Sequence, residues 1–173
     1  MADKCRVEFS NRQKDVAANK QLRDLIRACC AQTLRREGVE FPCLVSVSFV
    51  TKDEIRRLNS QSRGVDAVTD VLSFPLEEFE KGVPEGYRPV ISPLPLGDIV
   101  LCPARAVEQA GQYGHSVVRE MAFLSVHSML HLLLSLIHIL ETTHQLEITS
   151  EGASLRFEVT CLESIAQPQP FTP

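Results

Sequence analysis

The chain predicts an α+β fold: a single domain with one small mixed sheet of about four strands packed with helices, and an apolar helix in its core. Three observations carry that expectation. Four short alternating or apolar runs fit strands, the stretches between them show helical spacing, and no segment repeats. The 173 residues suffice for one domain with a real core and are short for two. At 44% hydrophobic and 23% charged, the composition is that of a globular protein rather than a disordered one.

Taken in order, Val7, Glu8 and Phe9 alternate and predict a first short strand. Over 16–36 the apolar positions Val16, Ala17, Leu22, Leu25, Ile26, Cys29 and Leu34 follow a helical period that Gly38 ends. Residues 44–50 (LVSVSFV) alternate strictly and predict a second strand. Thr51 with Glu54 three residues on forms a capping box, opening a helix with Ile55 and Leu58 inward and Arg56 and Arg57 outward. A polar loop is expected over 62–69. Residues 71–75 (VLSFP) form a strand closed by proline, and 77–95, with two glycines and four prolines, a loose surface loop. Residues 97–102 (GDIVLC) read as a buried strand. Pro103 suits the first turn of a helix running to about Tyr113, with Gly114 after it. A long helix follows from Ser116. Leu146 and Ile148, then Leu155, Phe157 and Val159, alternate around 150–153 as in a hairpin, and the final QPQPFTP predicts a disordered tail.

A net charge of −4 provides no global pull toward nucleic acid, so an RNA-binding surface would have to be a local basic patch such as Arg56, Arg57 and Arg63. Six cysteines, at 5, 29, 30, 43, 102 and 161, show no CxxC spacing and mostly lie in apolar surroundings. That pattern predicts reduced thiols in a cytoplasmic protein with no disulfide-linked partner. The first residues, MADKCRVE, lack the apolar stretch of a signal peptide.

Residues 121–140 contain no Asp, Glu, Lys or Arg yet hold His127, His131 and His138. The run is long enough to raise a membrane span. Its three histidines and three serines, and the absence of Lys/Arg clusters on its flanks, favour a buried helix instead. His127 and His131 stand four apart, so a helix stacks both imidazoles on one face, within reach of a single metal ion. By spacing alone they are equally two polar residues on a half-buried stripe. The helical metalloprotease pattern H-E-x-x-H is not met, because Ser128 stands where that pattern has its general base.

The segments SVSFVTKDEIRRLN (46–59), SRGVDAVTDVLSFPLEE (62–78), PLGDIVLCP (95–103), EQAGQYGHSVVREMAFL (108–124) and VHSMLHLL (126–133) occur in this order. Together they resemble the YbeY family, bacterial metal-dependent endoribonucleases linked to maturation of small-subunit ribosomal RNA. The resemblance runs over roughly residues 5–133, which sets off a YbeY-like domain at 1–133 from a divergent segment at 134–173. It implies a cytoplasmic, single-strand-specific metallo-endoribonuclease acting in 16S rRNA 3′-end maturation and ribosome quality control. Its partners would be ribosomal RNA and the ribosome, with no membrane involved.

The resemblance also implies roles for particular residues. The family holds one zinc ion with three histidines in a motif H-G/S-x-L-H-L-x-G-Y-D-H, whose first two match His127 and His131. Arg63 matches the arginine ahead of the TDVLSFP strand, which contacts RNA phosphate or the scissile group. Thr69 and Asp70 match a Thr-Asp pair implied in substrate binding, and His115 a position outside the metal motif with a structural role.

The third-ligand position holds Ile137, and Leu134, Ser135 and Leu136 stand where Gly, Tyr and Asp would be. His138, one residue late, is the substitute on paper. A glycine lets the chain turn left-handed and fold back toward the metal, whereas leucine allows the helix to continue. His138 would then lie roughly 10 Å along the axis from His131, too far for Zn–N bonds of about 2 Å. His144 could serve only if the chain reverses near 142–143. The abruptness of the change predicts a frameshift or chimeric junction near residue 134, the LSLIHI stretch resembling translated sequencing-adapter DNA. The alternative function is then a catalytically impaired RNA- or ribosome-binding remnant without the third zinc ligand.

Overall fold

The computed structural model describes residues 4–79, 83–133, 143–150 and 153–160. In chain order the elements are β1 (Cys5–Asn11), α1 (Lys20–Arg36), β2 (Cys43–Phe49), α2 (Lys52–Arg63), β3 (Val71–Pro75), β4 (Leu94–Leu101), α3 (Pro103–Tyr113), α4 (Val117–Leu133), β5 (Thr143–Ser150) and β6 (Ala153–Thr160). The first four strands form one mixed sheet in the order β1-β2-β4-β3. β1 and β4 run parallel to β2, and β3 closes the edge antiparallel to β4. The expected α+β domain with a four-stranded mixed sheet is therefore what forms. β5 and β6 pair antiparallel as a separate hairpin, with Leu146 opposite Phe157 and Ile148 opposite Leu155.

Strand alternation divides the sheet between two cores. Val45, Val47, Phe49, Val71, Ile99 and Leu101 meet α1 and α4 in the larger core, which includes Ile26, Met121, Met129, Leu130 and Leu133. Leu72 and Val100, next along their strands, point the other way onto Ile55 and Leu58 of α2. The described part of the uncharged run, 121–133, thus lies in a core helix, with Met121, Ala122, Leu124, Val126, Met129, Leu130, Leu132 and Leu133 all buried. Among the described residues no helix is long and apolar enough to cross a membrane.

Three boundaries differ from the sequence expectation, each through a side-chain or backbone bond that periodicity does not register. α1 begins at Lys20 rather than near residue 16, because Asn19 caps it by accepting from the Leu22 N–H at 2.9 Å. Upstream, the buried Gln13 side chain takes both backbone groups of Val16 and holds a turn there. α2 runs on to Gly64, whose φ of 69° ends it with an N–H donated to the Ser60 carbonyl. Arg63 therefore sits in the last helical turn, not in the polar loop expected over 62–69. β4 starts at Leu94, inside the expected loop, where the Leu94 N–H donates to the Pro42 carbonyl.

Cys5, Cys29, Cys30, Cys43 and Cys102 are buried free thiols, as their apolar surroundings predicted. Burial pushes the Cys29 and Cys43 thiols up to about 12, so they stay protonated and behave as small hydrophobes.

Candidate metal centre

α4 starts where α3 ends. Gly114 turns left-handed at φ 69°, and Ser116 caps the new helix by accepting from the Arg119 N–H at 3.2 Å. From that start, Glu120, Phe123, His127 and His131 recur at intervals of three, four and four, so they share one stripe. His127 and His131 meet as their spacing predicts. Their Nε2 atoms are 3.1 Å apart, with the rings nearly perpendicular at 80°.

A hydrogen bond between two imidazoles requires one donor and one acceptor, hence at least one neutral ring. The electrostatics agree. Burial holds the His127 pKa below its ordinary value, with Asp70 opposing the shift and Arg63 adding to it. Burial, then His127, then Arg63 push His131 down to about 4. Near neutral pH both rings are thus uncharged, the form that binds a metal. A histidine protonated in the unfolded chain below about 6.5, but not in the folded one until about 4, makes folding less favourable in that window. The metal-free protein is therefore expected to lose stability as pH falls from about 6.5 toward about 4, with no contribution from this pair above about 7.5. Urea midpoints at neutral and mildly acidic pH check this, and an unchanged midpoint would contradict it.

The pair fits two positions of a zinc site. Two nitrogens bound at about 2.0–2.1 Å to a tetrahedral centre lie roughly 3.3 Å apart, close to the 3.1 Å between the two Nε2 atoms. Among the described residues no third His, Cys, Asp or Glu completes a cluster able to hold a metal. His138 and Ile137 lie outside the described residues, as does the expected disordered tail. His144 falls within β5.

Arg63 and Asp70 come from different elements to the same neighbourhood. Arg63 is exposed at the end of α2, and its charge reaches both imidazoles. Among the described residues no carboxylate pairs with it, in contrast to Arg56, which Asp66 holds through two bonds of 2.7 and 2.9 Å. Arg57 is bound to Gln61. In the expected basic patch the exposed Arg56 thus has a carboxylate partner, whereas Arg63 has none among the described residues. Thr69 and Asp70 lead into β3. The Thr69 hydroxyl donates to Asp70 Oδ1 at 3.1 Å, and the Val71 N–H donates to the same oxygen at 2.8 Å. The Asp70 carbonyl accepts from the Cys102 N–H, tying this turn to the end of β4.

The loop between Arg63 and Asp70 is fastened by buried Asn59, whose amide donates to the Ala67 carbonyl at 2.9 Å. Asn59→Ala leaves that carbonyl without its partner, and a loss of about 1–2 kcal/mol is expected. A urea titration checks it, and a change within error would show that the loop holds without the bond.

Glu120 is a member of the stripe that sequence reasoning missed. It is buried, and its carboxylate lies 3.2 Å from His115 Nε2. Burial nevertheless holds its pKa above the ordinary carboxylate value, and Asp70 raises it further, against His115 and Arg119. Desolvation outweighs the pairing. His115 stands just ahead of α4, with its ring nitrogen on this carboxylate. Position is the one mark of Glu120 in the sequence: it precedes His127 by seven residues, two helical turns on the same face.

The family model described as endoribonuclease YbeY matches residues 8–134. The endoribonuclease YbeY of Caldanaerobacter subterraneus is 50% identical over 129 residues, which are 73% of this chain and 81% of that protein. That of Finegoldia magna is 44% identical over 131 residues, 73% of this chain and 77% of that protein. That of Clostridium acetobutylicum is 39% identical over 139 residues, 73% of this chain and 82% of that protein.

Proposed function

The chain belongs to the YbeY endoribonuclease family, and on that premise we propose that it hydrolyses phosphodiester bonds of single-stranded RNA at a centre built on His127, His131 and Arg63. The observation that carries this reading is the pair of imidazoles on α4 with their Nε2 atoms 3.1 Å apart, whose pKa values burial lowers and the Arg63 charge lowers further. Arg63 offers a planar set of donors that matches two phosphate oxygens at once. It would hold the scissile phosphate over α4 and stabilise the charge that grows on its non-bridging oxygens as water attacks. Asp70, fixed by two hydrogen bonds to one oxygen, would orient the groups around the phosphate with Thr69. A divalent ion held by the two histidines would supply a Lewis acid for the phosphate and a more acidic water. Within this reading the natural substrate is ribosomal RNA, at the 16S 3′ end, and ribosome quality control in the cytoplasm is the wider role.

A second reading has its own support. No described residue completes a three-ligand cluster, and the position that resembles the third ligand holds Ile137. The chain would then bind RNA or the ribosome without cutting, and 134–173 would be a divergent segment rather than part of the nuclease domain. The family match ends at residue 134, which supports that division.

Cleavage of a labelled single-stranded RNA by the zinc-supplemented protein separates the two. Under the first reading Arg63→Ala lowers kcat by about a hundredfold, and His127→Ala removes the activity. Binding with no cleavage above the His127→Ala background establishes the second reading. Neither binding nor cleavage rejects both.

A further inference from the structure

The stripe that carries the histidines also carries an aromatic ring with no role in the chemistry above. Phe123 lies one turn ahead of His127, its ring 5.9 Å from the imidazole and nearly parallel to it, at 14°. Around it α4 is closed: Met121, Ala122, Leu124, Ser125 and Val126 are all buried, whereas Phe123 is 37% exposed. The ring lies offset and nearly parallel beside the imidazole and still leaves over a third of the residue's surface open. A ring oriented by an aromatic neighbour and still open to solvent is the form of a stacking platform.

We propose that Phe123 seats an unpaired nucleobase next to the scissile phosphate and so selects single-stranded RNA. Every base has an apolar face that stacks on an aromatic side chain without regard to sequence, and proteins that bind single strands combine such rings with cationic contacts to the backbone. Both kinds of group are present here: Phe123, its ring 5.9 Å from that of His127, for the base, and Arg63, whose charge lowers the pKa of His127 and His131, for the phosphate. A base inside a duplex has both faces covered by its neighbours and cannot use the ring. The proposal rests on the RNA-cleaving reading and adds the feature of this chain that would tell unpaired from paired substrate.

The test is a binding cycle with the full chain and a short fluorescent single-stranded RNA, intact or with one abasic nucleotide placed at successive positions. Phe123→Leu is expected to weaken binding of the intact strand about tenfold, the scale of one base–aromatic stack. Removing the base that uses the ring should weaken wild-type binding to the same extent and have no further effect in Phe123→Leu. Phe123→Trp should restore binding, with indole fluorescence quenched on addition of the intact RNA. Circular dichroism of each variant confirms that it has folded. Two outcomes overturn the proposal alone: Phe123→Leu binds like wild type while Arg63→Ala binds weakly, or every abasic loss persists in full in Phe123→Leu. Wild-type protein that binds no single-stranded RNA overturns this proposal and the reading beneath it together.

Discussion

Gly97→Ala is expected to destabilise the protein by about 3 kcal/mol or more and to displace the histidine helix. Gly97 sits in β4 with φ 148°, a backbone conformation that a side chain strains by about 1–3 kcal/mol. The space is also taken. A Cβ at this position would lie 2.3 Å from the Phe74 carbonyl oxygen, 2.9 Å from Leu132 Cδ2 and 3.0 Å from Pro75 Cα. Two of these contacts are backbone of β3, which is paired with β4 in register at Phe74–Asp98 and Pro75–Gly97, so they cannot turn away. Relief requires parting β3 from β4 or lifting α4. Leu132 follows His131 directly, so the second route moves the metal pair. Denaturant unfolding measures the stability, and imidazole NMR reports the pair. A loss below about 1 kcal/mol with unchanged imidazole resonances would show that the close approach of α4 to the sheet is not needed.

Zinc binding is expected to rise from substoichiometric to one ion per chain when Leu134→Gly, Ser135→Tyr, Leu136→Asp and Ile137→His are combined. The reasoning starts from the pair already in place. Two neutral nitrogens 3.1 Å apart satisfy half of a tetrahedral shell, and protein zinc sites use three or four protein ligands. The resemblance puts the third ligand ten residues after His127, and the glycine is the step that makes this geometry reachable, since it permits the left-handed turn that ends a helix. A histidine introduced without it would continue along the helix axis. The combined variant should gain about a hundredfold or more in zinc affinity, because loss of even a supporting group outside the ligand set can cost up to that much. Metal analysis after dialysis and a zinc-competition titration provide the readout. His127→Ala in the same background should abolish the gain. If the fourfold variant stays substoichiometric, the broken closing turn does not explain weak binding, and Ile137→His alone binding as tightly would make the glycine irrelevant.

The elements were largely legible in the sequence, because strand alternation and helical period are local records of which side of the backbone meets the core. The strict alternation over 44–50 and the Thr51–Glu54 pair located β2 and the start of α2 to within a residue. Where an element departs from the expected bounds, a specific bond intervenes. Gln13 and Asn19 hold the chain out of helix ahead of Lys20, and Gly64, not the polarity of 62–69, decides where α2 stops.

The site was legible in part. The i,i+4 spacing was enough to bring His127 and His131 together once the helix formed. Arg63 and Asp70 required the resemblance, since nothing in their local sequence connects them to residues more than fifty positions away. Glu120 and Phe123 lie on the same stripe, but a carboxylate just ahead of the uncharged run and one more apolar residue within it carry no local signal that sets them apart from a capping charge and a core side chain. The ion pair of Arg56 with Asp66 was not legible either, since the two bonds that Arg56 donates cross a loop whose path the sequence does not state.

By itself, then, the sequence determined what period and spacing can encode: an α+β chain, an apolar core helix with two imidazoles on one face, and the abrupt loss of the motif that should close around them. The tertiary structure decided which elements meet. Placing β3 at the sheet edge beside β4, and laying α4 across Gly97 where no side chain intervenes, brings β3 and the turn that leads into it against the histidine helix. Such proximity depends on strand order and on backbone clearance between segments far apart in the chain, and neither leaves a periodic mark in the residues that it joins.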